Sequence, residues 1–178
     1  MKQNNSPRTA SQKVRILRLT RGAVVAAMYV ALTYVSVLLG LASGNIQCRL
    51  SEALCILPAF FPEAIPGLAV GCLISNLISV VSPFDVIFGT LATLIGAVGA
   101  YALRNVRFRF LIPAPTVLSN MLIVPAVLVA AYGEPWSSYP LFALQVGIGE
   151  VISAGVLGTI LYFALRRTNL VKHFQAHS

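Results

Sequence analysis

The amino-acid sequence predicts an all-α integral membrane protein, on the evidence of its composition, its apolar segments and its basic clusters. Of the 178 residues, 57% are hydrophobic and only 10% are charged, whereas soluble domains contain about 25% charged residues. The mean hydropathy is +0.83. Apolar segments, each bounded by Gly, Pro or charge, occupy residues 22–42, 50–61, 65–81, 86–103, 111–132 and 139–165. All but the second and third are long enough to cross a hydrocarbon core of about 30 Å as helices.

The first apolar segment follows a basic stretch, as the core of a secretory signal does. Residues 22–42 are longer than the roughly 7–15 apolar residues of a signal, so we interpret them as a retained first helix. The polar, basic residues 1–20 are expected to form a cytoplasmic tail that lies against anionic lipid. A single membrane domain follows over residues 21–167, and residues 168–178 form a second cytoplasmic tail.

The second and third segments are short, and the sequence leaves two arrangements open for them. Two full spans with a turn need about 40 residues, and residues 44–83 provide no more than that. This stretch therefore either crosses the membrane twice or enters and leaves it as a re-entrant hairpin. Pro58, Pro62 and Pro66 surround the turn and favour short, kinked or tilted helices.

Basic clusters predict the orientation of the chain. Every Lys and Arg except Arg49 lies within residues 2–21, 104–109 or 166–172, and such clusters mark the cytoplasmic side. The loop "GEPWSSYP", residues 133–140, has no Lys or Arg and carries Glu134, so it is expected outside. Both termini are therefore predicted to be cytoplasmic.

Polar side chains recur at matching depths within the apolar segments. About six residues, or roughly 9 Å, below the outer ends of their helices lie Asn76, Thr90 and Gln145. Two further residues lie near the midplane, Asn120 and Glu150. We expect these side chains to line a pocket that opens to the outside. From the rim inward, the candidate residues are Asn45, Gln47, Arg49, Glu52, Asp85, Asn76, Thr90, Gln145, Asn120 and Glu150.

Each candidate also has a structural alternative. Arg49 and Glu52 are spaced as an ion pair at a helix start, and Asp85 suits the first turn of a helix. The three polar residues at the common depth are equally compatible with hydrogen bonds between helices. Glu150 is harder to explain in this way, because no Lys or Arg occurs from residue 110 to 165 and an ionised carboxylate at that depth costs at least about 2.5 kcal/mol. We expect it to be protonated or to bind a polar group that enters from outside.

Several chemistries are disfavoured by what the sequence lacks. It contains no GxxxxGK[ST], GxSxG or HExxH motif, so neither nucleotide hydrolysis at a phosphate loop nor the usual hydrolytic sites are predicted. Cys48, Cys55 and Cys72 form no CxxC pair, and His173 and His177 lie in the tail, so no metal or cofactor is expected. Nucleic-acid binding is disfavoured because the basic clusters flank apolar segments.

Small residues form strips on two of the predicted helices. Ala23, Ala27 and Ala31 recur every four residues on the first helix, and Gly67 and Gly71 form GxxxG on the third. Such strips allow helix backbones to approach closely. They indicate either packing within this bundle or a docking face for another membrane subunit, for which the first helix is the better candidate.

Two stretches, "GNIQCRLSEALCILPAFFPEAIPGLAVGCLISN" and "DVIFGTLATLIGAVGAY", resemble the queuosine-precursor transporter (QueT) family over about residues 20–165. That family is similar to the substrate-binding S components of energy-coupling factor (ECF) transporters. The resemblance implies a six-transmembrane-helix bundle in the bacterial cell membrane that binds a 7-deazaguanine derivative from outside. It also implies a transmembrane T subunit and two ATP-binding-cassette ATPases as partners, with the T subunit contacting Ala23, Ala27 and Ala31. The motif residues of the family fall here on Asn45, Gln47, Arg49, Glu52, Asn76, Asp85, Thr90 and Glu150.

The chemistry of such a ligand suggests roles for these residues. A guanine-like ring presents its N1–H and 2-amino groups side by side, and one carboxylate, Glu150 or Glu52, accepts from both. Asp85 would pair with an aminomethyl substituent if the ligand carries one, and Arg49 or Gln47 would donate to the 6-oxo group. The alternatives are an S component for another vitamin-like solute, a small membrane enzyme and an assembly subunit without transport activity.

Overall fold

The protein is a helical bundle in a computed structural model that describes residues 7–41, 46–79 and 83–168. All regular secondary structure within these ranges is helical, which confirms the predicted all-α class. The α-helices are α1 (Pro7–Leu38), α2 (Ala64–Ser79), α3 (Pro83–Ala102), α4 (Ala114–Tyr132), α5 (Tyr139–Glu150) and α6 (Gly158–Arg167). A long 3₁₀ helix, Leu50–Ala59, lies between α1 and α2, and a π-helical segment, Val151–Leu157, joins α5 to α6. Short 3₁₀ turns occur at Leu103–Asn105, Arg109–Leu111 and Trp136–Ser138.

Helix α1 is longer than the first apolar segment. It begins at Pro7, a residue whose fixed φ and missing N–H suit the first helical position. Residues 7–20, which the sequence predicts as part of a cytoplasmic tail, are therefore helical and continue directly into the apolar segment. The helix ends at a left-handed residue, Gly40, with φ 71°, and the Leu41 N–H bonds the Ser36 carbonyl at 2.9 Å. This is a Schellman cap, which glycine accommodates without a steric penalty.

The outer surface of the bundle is apolar. In the described part of the chain, four helices are long and apolar enough to cross a membrane, and in each the 18-residue apolar window is only 33% buried. Large side chains such as Leu77, Ile87, Leu118 and Phe163 are exposed instead. Apolar surface of this extent is stable in a bilayer rather than in water. The four long helices are Ser11–Leu38, Pro83–Asn105, Arg109–Tyr132 and Trp136–Arg167.

The long 3₁₀ helix and α2 are too short to span a bilayer by length alone. Ten residues at about 2.0 Å each give about 20 Å, and the 16 residues of α2 at 1.5 Å each give about 24 Å. The structure thus has four long apolar helices and two shorter ones, while the six-span count and the orientation of the termini stay predictions. Runs of 3₁₀ helix beyond three or four residues are uncommon; this one is enclosed by the bundle, with eight of its ten residues buried.

The turn between the 3₁₀ helix and α2 lies beside the basic beginning of the α1 apolar segment. A buried ion pair joins Arg21 Nη1 to Glu63 Oε1 at 2.9 Å. Next to it the ring of Phe60 stacks on Tyr162 of α6, with centroids 4.8 Å apart. Ile112, just before α4, belongs to the same cluster of buried residues as Tyr162. The α1 basic stretch, the α3–α4 connection and the end of α6 therefore gather at one end of the bundle.

The two small-residue strips have different surroundings. A Cβ atom on Gly67 would lie 2.4 Å from the Gly22 carbonyl oxygen, and one on Gly71 would lie 2.9 Å from the Ala26 carbonyl oxygen. The GxxxG strip of α2 therefore packs directly on α1, with the two helices running in the same direction. The alanines of the α1 strip point away from the bundle and are exposed: Ala23, Ala27 and Ala31.

Candidate solute-binding site

A small polar cavity lies between the beginning of the 3₁₀ helix and helices α3, α4 and α5. Its volume is about 30 Å³, which is enough for no more than a few water molecules. Five of the lining residues are candidates from the sequence: Gln47, Arg49, Glu52, Asn120 and Glu150. The other four are Gly89, Thr93, Val124 and Val146.

Glu52 is the most thoroughly bonded group in the cavity wall. Its side chain is 2% exposed, and the hydroxyl of Tyr29 on α1 donates to its Oε1. The Cys55 thiol lies 3.3 Å from Oε2, and the Asn120 amide donates to the same oxygen at 3.5 Å. An ionised carboxylate accepts only, so three donors suit its charged form and hold it in place.

Glu150 is buried but incompletely bonded. It ends α5, directly before the π-helical segment, and its side chain is 7% exposed. Its Oε2 atom is buried and has no hydrogen-bond partner among the described residues. An unpaired buried carboxylate oxygen is costly, and this one belongs to a side chain that lines the cavity. It is therefore the group best placed to accept hydrogen bonds from a solute.

Arg49 connects the cavity to α2 and α3. Its Nη1 atom donates to Asn76 Oδ1 at 3.3 Å, and Asn76 Nδ2 lies 3.4 Å from the Cys72 sulfur. Thr93 on α3 donates to the same sulfur at 3.3 Å. Arg49 and Glu52, which the spacing offered as an ion pair at a helix start, thus make hydrogen bonds to different partners and both face the cavity.

The segment before the 3₁₀ helix lies tightly against α5. A Cβ atom on Gly149 would lie 2.0 Å from the Gln47 carbonyl oxygen, so only glycine permits this contact. The contacts that accompany it involve sulfur: Cys48 Sγ lies 3.6 Å from the Gly149 carbonyl oxygen, and Ser153 donates to Cys48 Sγ at 3.3 Å. Thiols are weak hydrogen-bonding groups. Residues 47–49 are therefore held to α5 by close packing and weak bonds.

The beginning of the 3₁₀ helix is bonded more firmly to α1. The Leu50 N–H donates to Ser36 Oγ at 2.9 Å, and the Thr33 hydroxyl donates to Ser51 Oγ at 2.8 Å. With the Tyr29 contact to Glu52, these bonds run along one face of α1. Helix α1 therefore sets the position of Glu52 in the cavity.

The other described sequence candidates lie outside the cavity wall. Asn45 falls outside the described residues. Asn76 is buried, accepts from Arg49 and packs against the lining residue Gly89, whose Cβ would lie 3.0 Å from Asn76 Nδ2. Asp85 is half-buried in the first turn of α3 and accepts a hydrogen bond from the hydroxyl of the exposed Tyr132 at 2.7 Å. Thr90 and Gln145 are half-buried and are not among the lining residues.

Sequence reasoning missed the residues that bond to Glu52, to its neighbour Ser51 and to Asn76. In the sequence, Tyr29 and Thr33 lie within an apolar segment and do not stand out as polar candidates. Their i, i+4 spacing nevertheless places two hydroxyl groups on one face of the helix. Cys55 and Cys72 were considered only as metal or disulfide residues. Thr93 lies three residues after Thr90 and therefore about one helical turn away, a spacing that could have identified it.

A larger cavity of about 400 Å³ lies along α3 and α4, but its lining is entirely apolar. It includes Phe84, Phe88 and the exposed Trp136. Specific sites for polar solutes need a few placed polar groups. This groove therefore suits the lipid-facing surface, and the smaller polar cavity is the candidate site.

Comparison with known proteins gives one family match. The profile of a family described as QueT transporter matches residues 19–167. The queuosine precursor transporter QueT of Lactococcus lactis subsp. cremoris (strain MG1363) is 42% identical over 73 residues, which are 41% of this chain and 43% of that relative. The chain thus aligns with less than half the length of this curated relative. No solved structure matches the chain.

Proposed function

Because this chain belongs to the QueT transporter family, we propose that it captures a queuosine precursor, a 7-deazaguanine derivative, from outside the bacterial cell. The family is one of transporters rather than enzymes, and the chain is a multi-pass membrane protein. The name of the L. lactis relative supports this class of ligand. A membrane enzyme and a purely structural subunit both receive less support, since neither accounts for a buried cavity with unpaired acceptor capacity.

The observation that carries the proposal is the unpartnered Oε2 atom of Glu150 in the cavity wall. A 7-deazaguanine ring presents adjacent N1–H and 2-amino donors, which one carboxylate accepts through two parallel, charge-assisted hydrogen bonds. Glu52 already has three donors, so Glu150 takes this role. Arg49 or Gln47 would donate to the 6-oxo oxygen from the opposite wall.

The size of the cavity implies that binding is accompanied by opening. A bicyclic ring needs more than the space of a few water molecules, since pockets for small organic ligands have volumes of about 300–1,000 Å³. Toward α5, residues 47–49 are held by the weak sulfur contacts of Cys48 to Gly149 and Ser153. Their firmer bond, from the Cys48 N–H to the Leu41 carbonyl at 2.9 Å, is made to the end of α1. Displacing this segment from α5 would widen the cavity and leave the α1 contacts to Glu52 in place.

The orientation that fits capture from outside has six membrane segments with both termini in the cytoplasm. The basic stretches of α1, the α3–α4 connection and the end of α6 share one end of the bundle, and Arg21 and Glu63 bring the turn before α2 to that same end. Clustered Lys and Arg favour the cytoplasmic side. The 3₁₀ helix and α2 would then cross a thinner or locally adapted bilayer.

Transport driven by ATP needs a site that hydrolyses nucleotide. The chain has no phosphate-binding loop, and we propose that it is the S component of an ECF importer. Its partners would be a transmembrane T subunit and two ATP-binding-cassette ATPases. The exposed strip of Ala23, Ala27 and Ala31 supports a docking face, because small residues let another helix approach closely.

A binding measurement tests the proposal directly. Purified protein in lipid nanodiscs should bind at least one 7-deazaguanine in the micromolar range, and should not bind riboflavin, thiamine or biotin. Glu150→Gln should weaken binding about 30-fold or more, because the amide replaces one acceptor by a donor at a charge-assisted pair worth about 2–3 kcal/mol. Glu134→Gln, in the exposed outer loop, is the matched control and should bind like the parent. If no 7-deazaguanine binds, the proposed function is wrong. If Glu150→Gln binds as tightly as the parent, the proposed site is wrong.

A further inference from the structure

The connection between α3 and α4, residues 103–111, combines positive charge with exposed aromatic rings. It contains three arginines and two phenylalanines: Arg104, Arg107, Phe108, Arg109 and Phe110. Both phenyl rings are exposed, and their centroids lie 5.7 Å apart. The basic beginning of α1, residues 7–21, contains no aromatic side chain. The α3–α4 connection therefore differs from the α1 basic stretch in being cationic and aromatic at once.

The connection lies at the surface of the membrane. One helix long and apolar enough to span ends at Asn105, and the next begins at Arg109. Since residues 106–108 alone separate the two helices, the connection cannot extend far from the bilayer boundary. At such a boundary, Phe side chains enter the acyl region while Arg side chains reach the headgroups. The two phenyl rings and the three guanidinium groups thus suit two neighbouring layers of the bilayer.

The acids of the chain do not balance these arginines. The sequence contains five Asp and Glu residues. Glu52 and Glu150 line the polar cavity, and Glu63 is paired with Arg21. The other two acids belong to the opposite ends of α3 and α4, namely Asp85 and Glu134. The α3–α4 connection therefore carries three positive charges that no carboxylate neutralises.

Backbone carbonyls hold two of the guanidinium groups in place. Arg104 Nη1 donates to the Tyr101 carbonyl at 2.9 Å, and the guanidinium carbon lies 4.0 Å from the centroid of the Tyr101 ring. Arg109 Nη1 donates to the Arg104 carbonyl. Both acceptors are uncharged, so the positive charges remain. Arg107 is exposed between the two held arginines and next to Phe108.

We infer that the α3–α4 connection binds the headgroup of an anionic phospholipid. Phe108 and Phe110 lie among its acyl chains, and Arg107 donates to its phosphate, whose oxygens match the planar guanidinium group. Basic groups at the ends of transmembrane helices bind anionic headgroups in this way. A zwitterionic lipid offers the same phosphate, but its ammonium group adds a positive charge beside the three arginines. The site therefore discriminates by headgroup charge, and it is separate from the polar cavity.

Native mass spectrometry of the detergent-purified protein measures this preference. The probes are phosphatidylglycerol and phosphatidylcholine with identical acyl chains, so that only the headgroup differs. For the first lipid bound, the dissociation constant of phosphatidylglycerol should be lower by about fivefold or more, the factor expected of one arginine near an anionic surface. Equal dissociation constants would overturn the inference. The measurement needs no solute, so its failure is distinguishable from a failure of the proposed function.

Three variants locate the preference on the chain. Arg107→Gln should reduce it by about fivefold, whereas Phe108→Ser should weaken both lipids equally, because it removes apolar contact but no charge. Arg15→Gln is the matched control, since it removes one exposed arginine from α1 and should leave the preference within about twofold. An unchanged preference in Arg107→Gln, or an equal reduction in Arg15→Gln, would show that the α3–α4 connection is not the site. Arg107 and Phe108 are exposed, so both variants should fold like the parent.

Discussion

The hydrogen bond from Tyr29 to Glu52 should contribute measurably to stability. Tyr29 is 1% exposed and Glu52 is 2% exposed, so Tyr29→Phe removes the hydroxyl in a place where water cannot easily replace it. Hydrogen bonds to charged groups contribute about 1.5–3 kcal/mol. The remaining donors to Glu52 are a weak thiol donor, Cys55 at 3.3 Å, and a long amide contact, Asn120 at 3.5 Å. Both bond to Oε2, so they cannot compensate fully for the donor to Oε1. We therefore expect a loss of about 2 kcal/mol in the free energy of unfolding.

Thermal unfolding in detergent measures this loss. For a chain of this size, 1 kcal/mol corresponds to about 2–4 °C, so Tyr29→Phe should lower the melting temperature by about 4–8 °C. Tyr34→Phe is the matched control, since Tyr34 lies on the same helix and is 51% exposed; its effect should stay within about 0.5 kcal/mol. Equal melting temperatures for the parent and Tyr29→Phe would refute the assignment of this hydroxyl as the principal donor to Glu52.

Two further predictions concern the small-residue strips. If the proposed T subunit and ATPases are its partners, Ala27→Trp should abolish copurification with them while ligand affinity stays within about threefold, because Ala27 is exposed and does not line the cavity. Loss of ligand binding as well would mean that the strip serves internal packing. Gly71→Ala should destabilise the protein by about 1–3 kcal/mol, since its Cβ would lie 2.8 Å from the Tyr29 Cβ. Gly155→Ala is the control and should be neutral or stabilising, because the nearest neighbour of its Cβ would lie 3.8 Å away. A lower melting temperature for Gly155→Ala than for Gly71→Ala would contradict the packing of α2 on α1.

The fold class and much of the site could be predicted because both are written as local patterns. Charge depletion and apolar length identify membrane helices without any knowledge of their packing. Glu150 stood out because a carboxyl group with no nearby base is costly in such a segment. Five of the sequence candidates line the cavity, but depth along the chain did not separate them from candidates that lie elsewhere.

The rest of the site depended on which face of each helix turns inward. Asp85 and Gln145 had suitable depths, but one accepts from Tyr132 in the first turn of α3 and the other lies outside the cavity wall. Depth along a helix fixes one coordinate, whereas rotation about its axis is decided by packing against the neighbouring helices. The donors to Glu52 were missed for the same reason, since Tyr29 is separated from it by 23 residues of sequence.

By itself the sequence determined that the chain is helical, that it lies in a membrane and that its acids need partners, because hydrophobicity and charge act residue by residue. Only the tertiary structure decided that the ten residues after Arg49 form a 3₁₀ helix enclosed by the bundle. It also decided that Glu52 is held by three donors, while Oε2 of Glu150 has no hydrogen-bond partner within residues 7–41, 46–79 and 83–168. Those outcomes depend on distances between helices that are far apart in the chain, and such distances are set by packing of the whole bundle.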